Sequence, residues 1–146
     1  MKMPLLAAVW SLATVIIPLA EQNIGLYTPF IAEQVCCRFF FVFALCIPFE
    51  IRDLEIDKKE NVKTLPLVYG ENKIKVLGTI MILVEILIHH FMPINSSSMI
   101  ALDVSSGIAL IWIFVKAQKR ESYFYKLLVD GTMVLRFLFL YIAIYI

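Results

Sequence analysis

Five stretches of this chain, 3–20, 29–49, 74–91, 99–115 and 127–146, are almost wholly apolar, and each is about as long as a bilayer is thick. A hydrocarbon core of roughly 30 Å takes about 20 residues of helix, with about 17 to 25 the usual range. Lipid offers no water to backbone groups, so a spanning segment is either a helix or part of a closed barrel. Barrel strands alternate apolar and polar residues, and none of the five segments does so. The fold class that follows is all-α: a polytopic transmembrane bundle of about five helices, in one domain covering 1–146. Composition agrees, because 61% of the residues are apolar and 17% are charged, where soluble domains carry about 45–50% apolar residues. Mean hydropathy is +0.85.

Charge sorts the connections into two sets. The stretches 21–28 and 92–98 hold no Lys or Arg. With five crossings, Lys2, the basic residues from Arg52 to Lys75, and Lys116, Lys119, Arg120 and Lys126 all fall on the other side. Cytoplasmic loops carry the excess of Lys and Arg, so the N-terminus and the loop 50–73 are expected inside and Ile146 outside. Lys2 before an apolar run imitates a secretory leader, but Pro18-Leu19-Ala20 is a poor cleavage site, and 3–20 reads as a mature helix. A net charge of +1 and the lack of basic runs interleaved with aromatics argue against a nucleic-acid partner. Cys36, Cys37 and Cys46 lack metal or disulfide spacing and read as small, reduced, buried side chains.

Loop 50–73 concentrates the polar chemistry, since the connection 47–75 holds nearly half of all charged residues. Glu50, Asp53, Asp57 and Glu60 recur at i, i+3, i+7 and i+10, which on a helix lines four acids along one stripe. Like charges at that spacing repel, and a divalent cation relieves the penalty. Mg²⁺ is the hard ion held by one or two carboxylates together with phosphate oxygens. The plainer alternative is a solvated loop in which Lys58, Lys59 and water neutralise the acids. Pro48 is expected to end the hydrophobic helix before this loop.

The string Asp53-x-x-x-Asp57, followed by Lys63-Thr64-Leu65-Pro66 and Gly70, closely resembles the second aspartate-rich motif of the UbiA-type membrane prenyltransferases. The resemblance implies Mg²⁺ as cofactor, a prenyl diphosphate as donor, and an aromatic or other lipophilic acceptor. It implies that Asp53 and Asp57 are metal ligands, that Lys63 contacts the diphosphate, and that Glu50 takes a less defined place beside them. Trp10 to Leu19 and Asp130-Gly131 are similar to flanking parts of the same family, less specifically. Family members have about nine helices and an earlier N-D-x-x-D motif, which this sequence lacks. It looks like the C-terminal half, implying a separate N-terminal half as partner. A non-catalytic membrane scaffold or subunit that keeps the fold fragment is the alternative.

Arg38, Glu85, Asp103 and Arg136 lie within the apolar segments. An unpaired charge at a helix centre costs about 2.5–3.5 kcal/mol on insertion scales, so they should face one another or water. Glu85 is the expected partner for the two arginines. Asp103, His89 and His90 lie near outer helix ends and read as structural or interfacial. His89 and His90 should not form a two-His metal site, because adjacent helical residues point about 100° apart. Phe39 to Phe43 could line an isoprenoid channel, although aromatics more often pack or face lipid.

Overall fold

The computed structural model describes residues 2–21, 29–115 and 130–145. Seven helices and no strand occur among these residues: α1 (Lys2–Glu21), α2 (Pro29–Arg52), α3 (Leu54–Lys59), α4 (Leu65–Tyr69), α5 (Glu71–Phe91), α6 (Ser96–Phe114) and α7 (Gly131–Tyr145). Four of them, α1, α2, α5 and α6, are long and apolar enough to cross a membrane. The chain is a multi-pass membrane protein. The fifth expected span is represented by α7, whose 15 described residues make about 22 Å of helix. The connection 22–28 and the basic residues Lys116, Lys119, Arg120 and Lys126 lie outside the described residues.

Side-chain contacts fix an up-and-down order. Leu6 and Trp10 of α1 share a slot with Leu45 and Phe49 of α2, so the start of α1 lies against the end of α2. Ile47 of α2 meets Gly78 of α5, Glu85 of α5 meets Ser106 of α6, and Trp112 of α6 bonds Thr132 of α7. The start of α1, the end of α2, the helices α3 and α4, and the start of α7 therefore share one end of the bundle, here called the motif end.

Helix α2 is the axis, packed against α1, α5 and α6. Its run from Phe41 to Leu45 is buried continuously, with Ile47 and Ile51 completing the core side. Helix α6 reaches α2 and α5 through small residues, burying Ser98, Ala101, Ser105, Ser106 and Ala109. Small residues allow close helix approach where lipid supplies no hydrophobic drive between helices.

Two sequence expectations need correction. Helix α2 does not end at Pro48 but runs to Arg52 with Pro48 buried inside it. Proline removes one helical hydrogen bond, and membrane helices tolerate this where neighbours surround the freed carbonyl. Of the three cysteines, only Cys37 is buried; Cys36 is exposed and Cys46 half-buried.

Candidate functional site

At the motif end the backbone ladder passes from α2 into α3 almost without interruption. Asp53 N–H donates to the Phe49 carbonyl at 3.0 Å, and Asp57 N–H donates to the Asp53 carbonyl at 2.9 Å. Asp53 and Asp57 thus sit one turn apart, as the acidic stripe required. The stripe stops at Glu60, the C-cap of α3. Asn61 follows with φ 53°, and Val62 N–H donates back to the Asp57 carbonyl at 3.0 Å. This is a Schellman-type stop, with Asn standing where the left-handed residue is required.

Thr64, in extended conformation, then opens α4, with Pro66 in its first turn. Gly70, at φ 87°, separates α4 from α5. A positive φ favours glycine because no Cβ meets the backbone. The Thr64 side chain is 4% exposed, and its hydroxyl has no hydrogen-bond partner.

The predicted site residues divide into two groups. Asp57 and Lys63 line one open groove of about 470 Å³ with Lys58, Asn61 and Val62. Asp53 is held elsewhere: Arg52 Nε donates to its Oδ1 at 2.6 Å and Arg52 Nη2 to its Oδ2 at 2.9 Å. The Arg52 guanidinium also lies 5.4 Å from the Phe49 ring centroid. Glu50 is half-buried in the last turn of α2. Among the described residues, no group of three or more His, Cys, Asp or Glu side chains converges as a metal site.

Phe49 also forms part of an apolar slot of about 450 Å³ between α1, α2 and α7, lined by Trp10, Leu45, Cys46, Met133 and Val134, with Asp130 at the same end. The phenylalanine run does not form the wall of this slot. Phe41 and Phe43 are core residues, and Phe39 packs against Phe40 and Phe43.

Deeper in the membrane, Glu85 (0% exposed) and Arg136 (3% exposed) are paired at 2.6 Å. The Arg136 guanidinium carbon also lies over Phe41, 4.0 Å from the ring centroid, and its Nη2 is 3.4 Å from His89 Nε2. Glu85 thus takes one of its two expected arginine partners. Arg38 instead lines a separate cavity of about 290 Å³ with Trp10, Thr14 and Phe137, and has no ion pair among the described residues.

His89, read from the sequence as structural or interfacial, is 1% exposed. It stands 3.6 Å from Glu85 on its own helix and 3.6 Å from Asp103 on α6. The signal was present in the sequence, since Glu85 and His89 are four apart and share one helix face. Compared with known proteins, the chain matches no family model, no curated protein and no solved structure.

Proposed function

We propose that the motif end binds the diphosphate of an isoprenoid donor together with Mg²⁺, and that the chain serves as the C-terminal half of a UbiA-like prenyltransferase. A separate N-terminal half would carry the first acidic motif, and the basic end of the bundle would face the cytoplasm. The observation that carries this reading is the continuity of apolar slot and polar motif. The slot includes Phe49, Phe49 lies beside Arg52, and Arg52 holds Asp53. An amphiphile with its tail in that slot brings its head group to the acids. Asp57 and Lys63 share a groove, and the hydroxyl of Thr64, the next residue in sequence, is buried without a hydrogen-bond partner.

In this reading, breaking the carbon–oxygen bond leaves negative charge on diphosphate, which Mg²⁺ and cations stabilise. Lys63 binds phosphate as a point charge. Arg52 moves from Asp53 to a phosphate oxygen, and its planar fork suits either partner. Asp53 and Asp57 would hold the metal, which would supply positive charge beside the leaving diphosphate. The acceptor is a lipophilic molecule entering from the bilayer.

A second reading, a non-catalytic scaffold, is favoured by the two-pronged closure of Arg52 on Asp53. Binding of geranyl or farnesyl diphosphate by the purified protein, with and without Mg²⁺, separates the two. We expect Mg²⁺-dependent binding that is abolished in Asp53→Asn/Asp57→Asn and weakened in Lys63→Ala. Unchanged affinity and Mg²⁺ dependence in the double variant would leave the scaffold reading standing.

A further inference from the structure

The charged groups in the middle of the bundle form a graded path that the motif chemistry does not use. The side chain of His90 is 50% exposed, that of Asp103 30%, that of His89 1% and that of Glu85 0%. His90 Nε2 stands 3.9 Å from Asp103 Oδ2. The other Asp103 oxygen, Oδ1, is 3.6 Å from His89 Nδ1, and His89 Nε2 is 3.6 Å from Glu85 Oε1. One imidazole therefore stands between two carboxylates, with a different ring nitrogen toward each. Four atoms face these two gaps: Asp103 Oδ1 and His89 Nδ1 are buried without a hydrogen-bond partner, whereas Glu85 Oε1 also meets Arg136 Nη1 at 2.6 Å and His89 Nε2 lies 3.4 Å from Arg136 Nη2.

Every packed element contributes groups to this centre. Helix α5 brings Glu85, His89 and His90, α6 brings Asp103 and Ser106, and α7 brings Arg136. Helix α2 places Cys37 and Arg38 near Glu85 and Phe41 beneath Arg136.

We propose that His89 shuttles protons between Asp103 and Glu85, making Glu85 a mid-membrane proton-exchange site reached from the face opposite the motif. Chains of Asp, Glu and His in membranes are the usual form of such relays. Arg136 Nη2 lies 3.4 Å from His89 Nε2 and favours the tautomer with the proton on Nδ1. From that state Arg136 Nη2 gives up Nε2 while Nη1 keeps its hold on Glu85; a protonated Glu85 then passes its proton to Nε2 as Nδ1 releases one to the Asp103 carboxylate, and the imidazole stays neutral. The ring is left as the other tautomer, ready for the return transfer. Each gap needs closing by about 0.6 Å to reach hydrogen-bond length, which both carboxylates achieve by moving toward the ring.

Ser106 completes the device. Its hydroxyl is 3.0 Å from Glu85 Oε2 and 3.0 Å from the Leu102 carbonyl. One proton serves one acceptor at a time, so the hydroxyl donates to Glu85 when it is charged and to Leu102 when it is not.

The test is nitrogen-15 NMR of the histidine rings, on the full chain in lipid nanodiscs. His89→Gln assigns the signals, and backbone amides report folding. We expect the His89 ring to exchange between both tautomers as pH is varied. Asp103→Asn keeps a hydrogen-bond acceptor but cannot take up a proton, and should slow deuterium exchange at the ring N–H roughly a hundredfold, the scale of a positioned proton acceptor. Glu85→Gln should lock one tautomer. A merely structural histidine predicts otherwise: one tautomer at every pH, with Asp103→Asn spectra and exchange rates equal to those of the unsubstituted protein. That result overturns the proposal.

Discussion

Removing one member of the Glu85–Arg136 pair should be far more harmful when the residue lost is the acid. Both groups are buried, and the pair spans α5 and α7 at 2.6 Å. Glu85→Met leaves Arg136 with His89 and the face of Phe41. Arginine cannot shed its charge, and a cation–π contact returns only about 2 kcal/mol when desolvated. The expected loss is therefore about 3–5 kcal/mol, the range for breaking a buried pair. Arg136→Met leaves a carboxyl that can take up a proton and still bond Ser106, so it should cost about 1–3 kcal/mol, as for one unmet polar group. The double variant buries no charge and should be more stable than Glu85→Met alone. Reversible unfolding of the four proteins in mixed micelles closes the cycle. The coupling should exceed the roughly 1.7 kcal/mol reached by uncharged hydrogen bonds in membranes. Additivity within about 0.5 kcal/mol would show that the pair does not hold α7 to α5.

Topology is checked by single cysteines introduced at Asn61 and Ser97 in a background free of Cys36, Cys37 and Cys46. These positions lie at opposite ends of the bundle, so an impermeant reagent should label Ser97→Cys on intact cells and Asn61→Cys only after permeabilisation. Gly78→Ala should destabilise slightly, because a Cβ there collides with Ile47 Cδ1 and lies 3.1 Å from Ile113 Cδ1. Overpacking of about 1–3 kcal/mol outweighs a helix-propensity gain of about 1 kcal/mol. Ile47→Val removes the colliding atom and should rescue Gly78→Ala in thermal unfolding; strictly additive losses would contradict that packing.

The spanning helices were legible because lipid leaves an apolar segment of that length essentially one solution. Boundaries were less so. Pro48 reads as a stop by its chemistry, yet it costs a helix only one bond, and the buried neighbours Ile47 and Ile51 carry α2 past it. The fine structure of 53–70 was available in outline. Asn61 is a residue type that tolerates the left-handed region, Thr64 precedes a helix with Pro66 near its start, and Gly70 takes the positive φ between two helices. Each is a local stop or start signal, so an all-helical connection broken at those points could have been derived from residue chemistry alone.

The polar centre was half legible, and the missing half was tertiary. A charge inside an apolar segment demands a partner, which singled out Glu85, Arg38 and Arg136 without any coordinates. Which arginine wins depends on helix neighbours: α7 meets α5 at the depth of Glu85, while Arg38 lines a cavity with α1 and α7 residues. No periodicity encodes that choice. The burial of His89 was hidden from the sequence for a related reason. Counted along its own helix it lies two residues from the end, where a side chain would ordinarily reach water. The α6 helix begins only five residues after α5 ends, and so short a connection forces the two helices into antiparallel contact. That contact sets Asp103 beside His89 and closes His89 off from solvent. The shortness of the loop, rather than any residue in it, makes this histidine the buried link between two carboxylates.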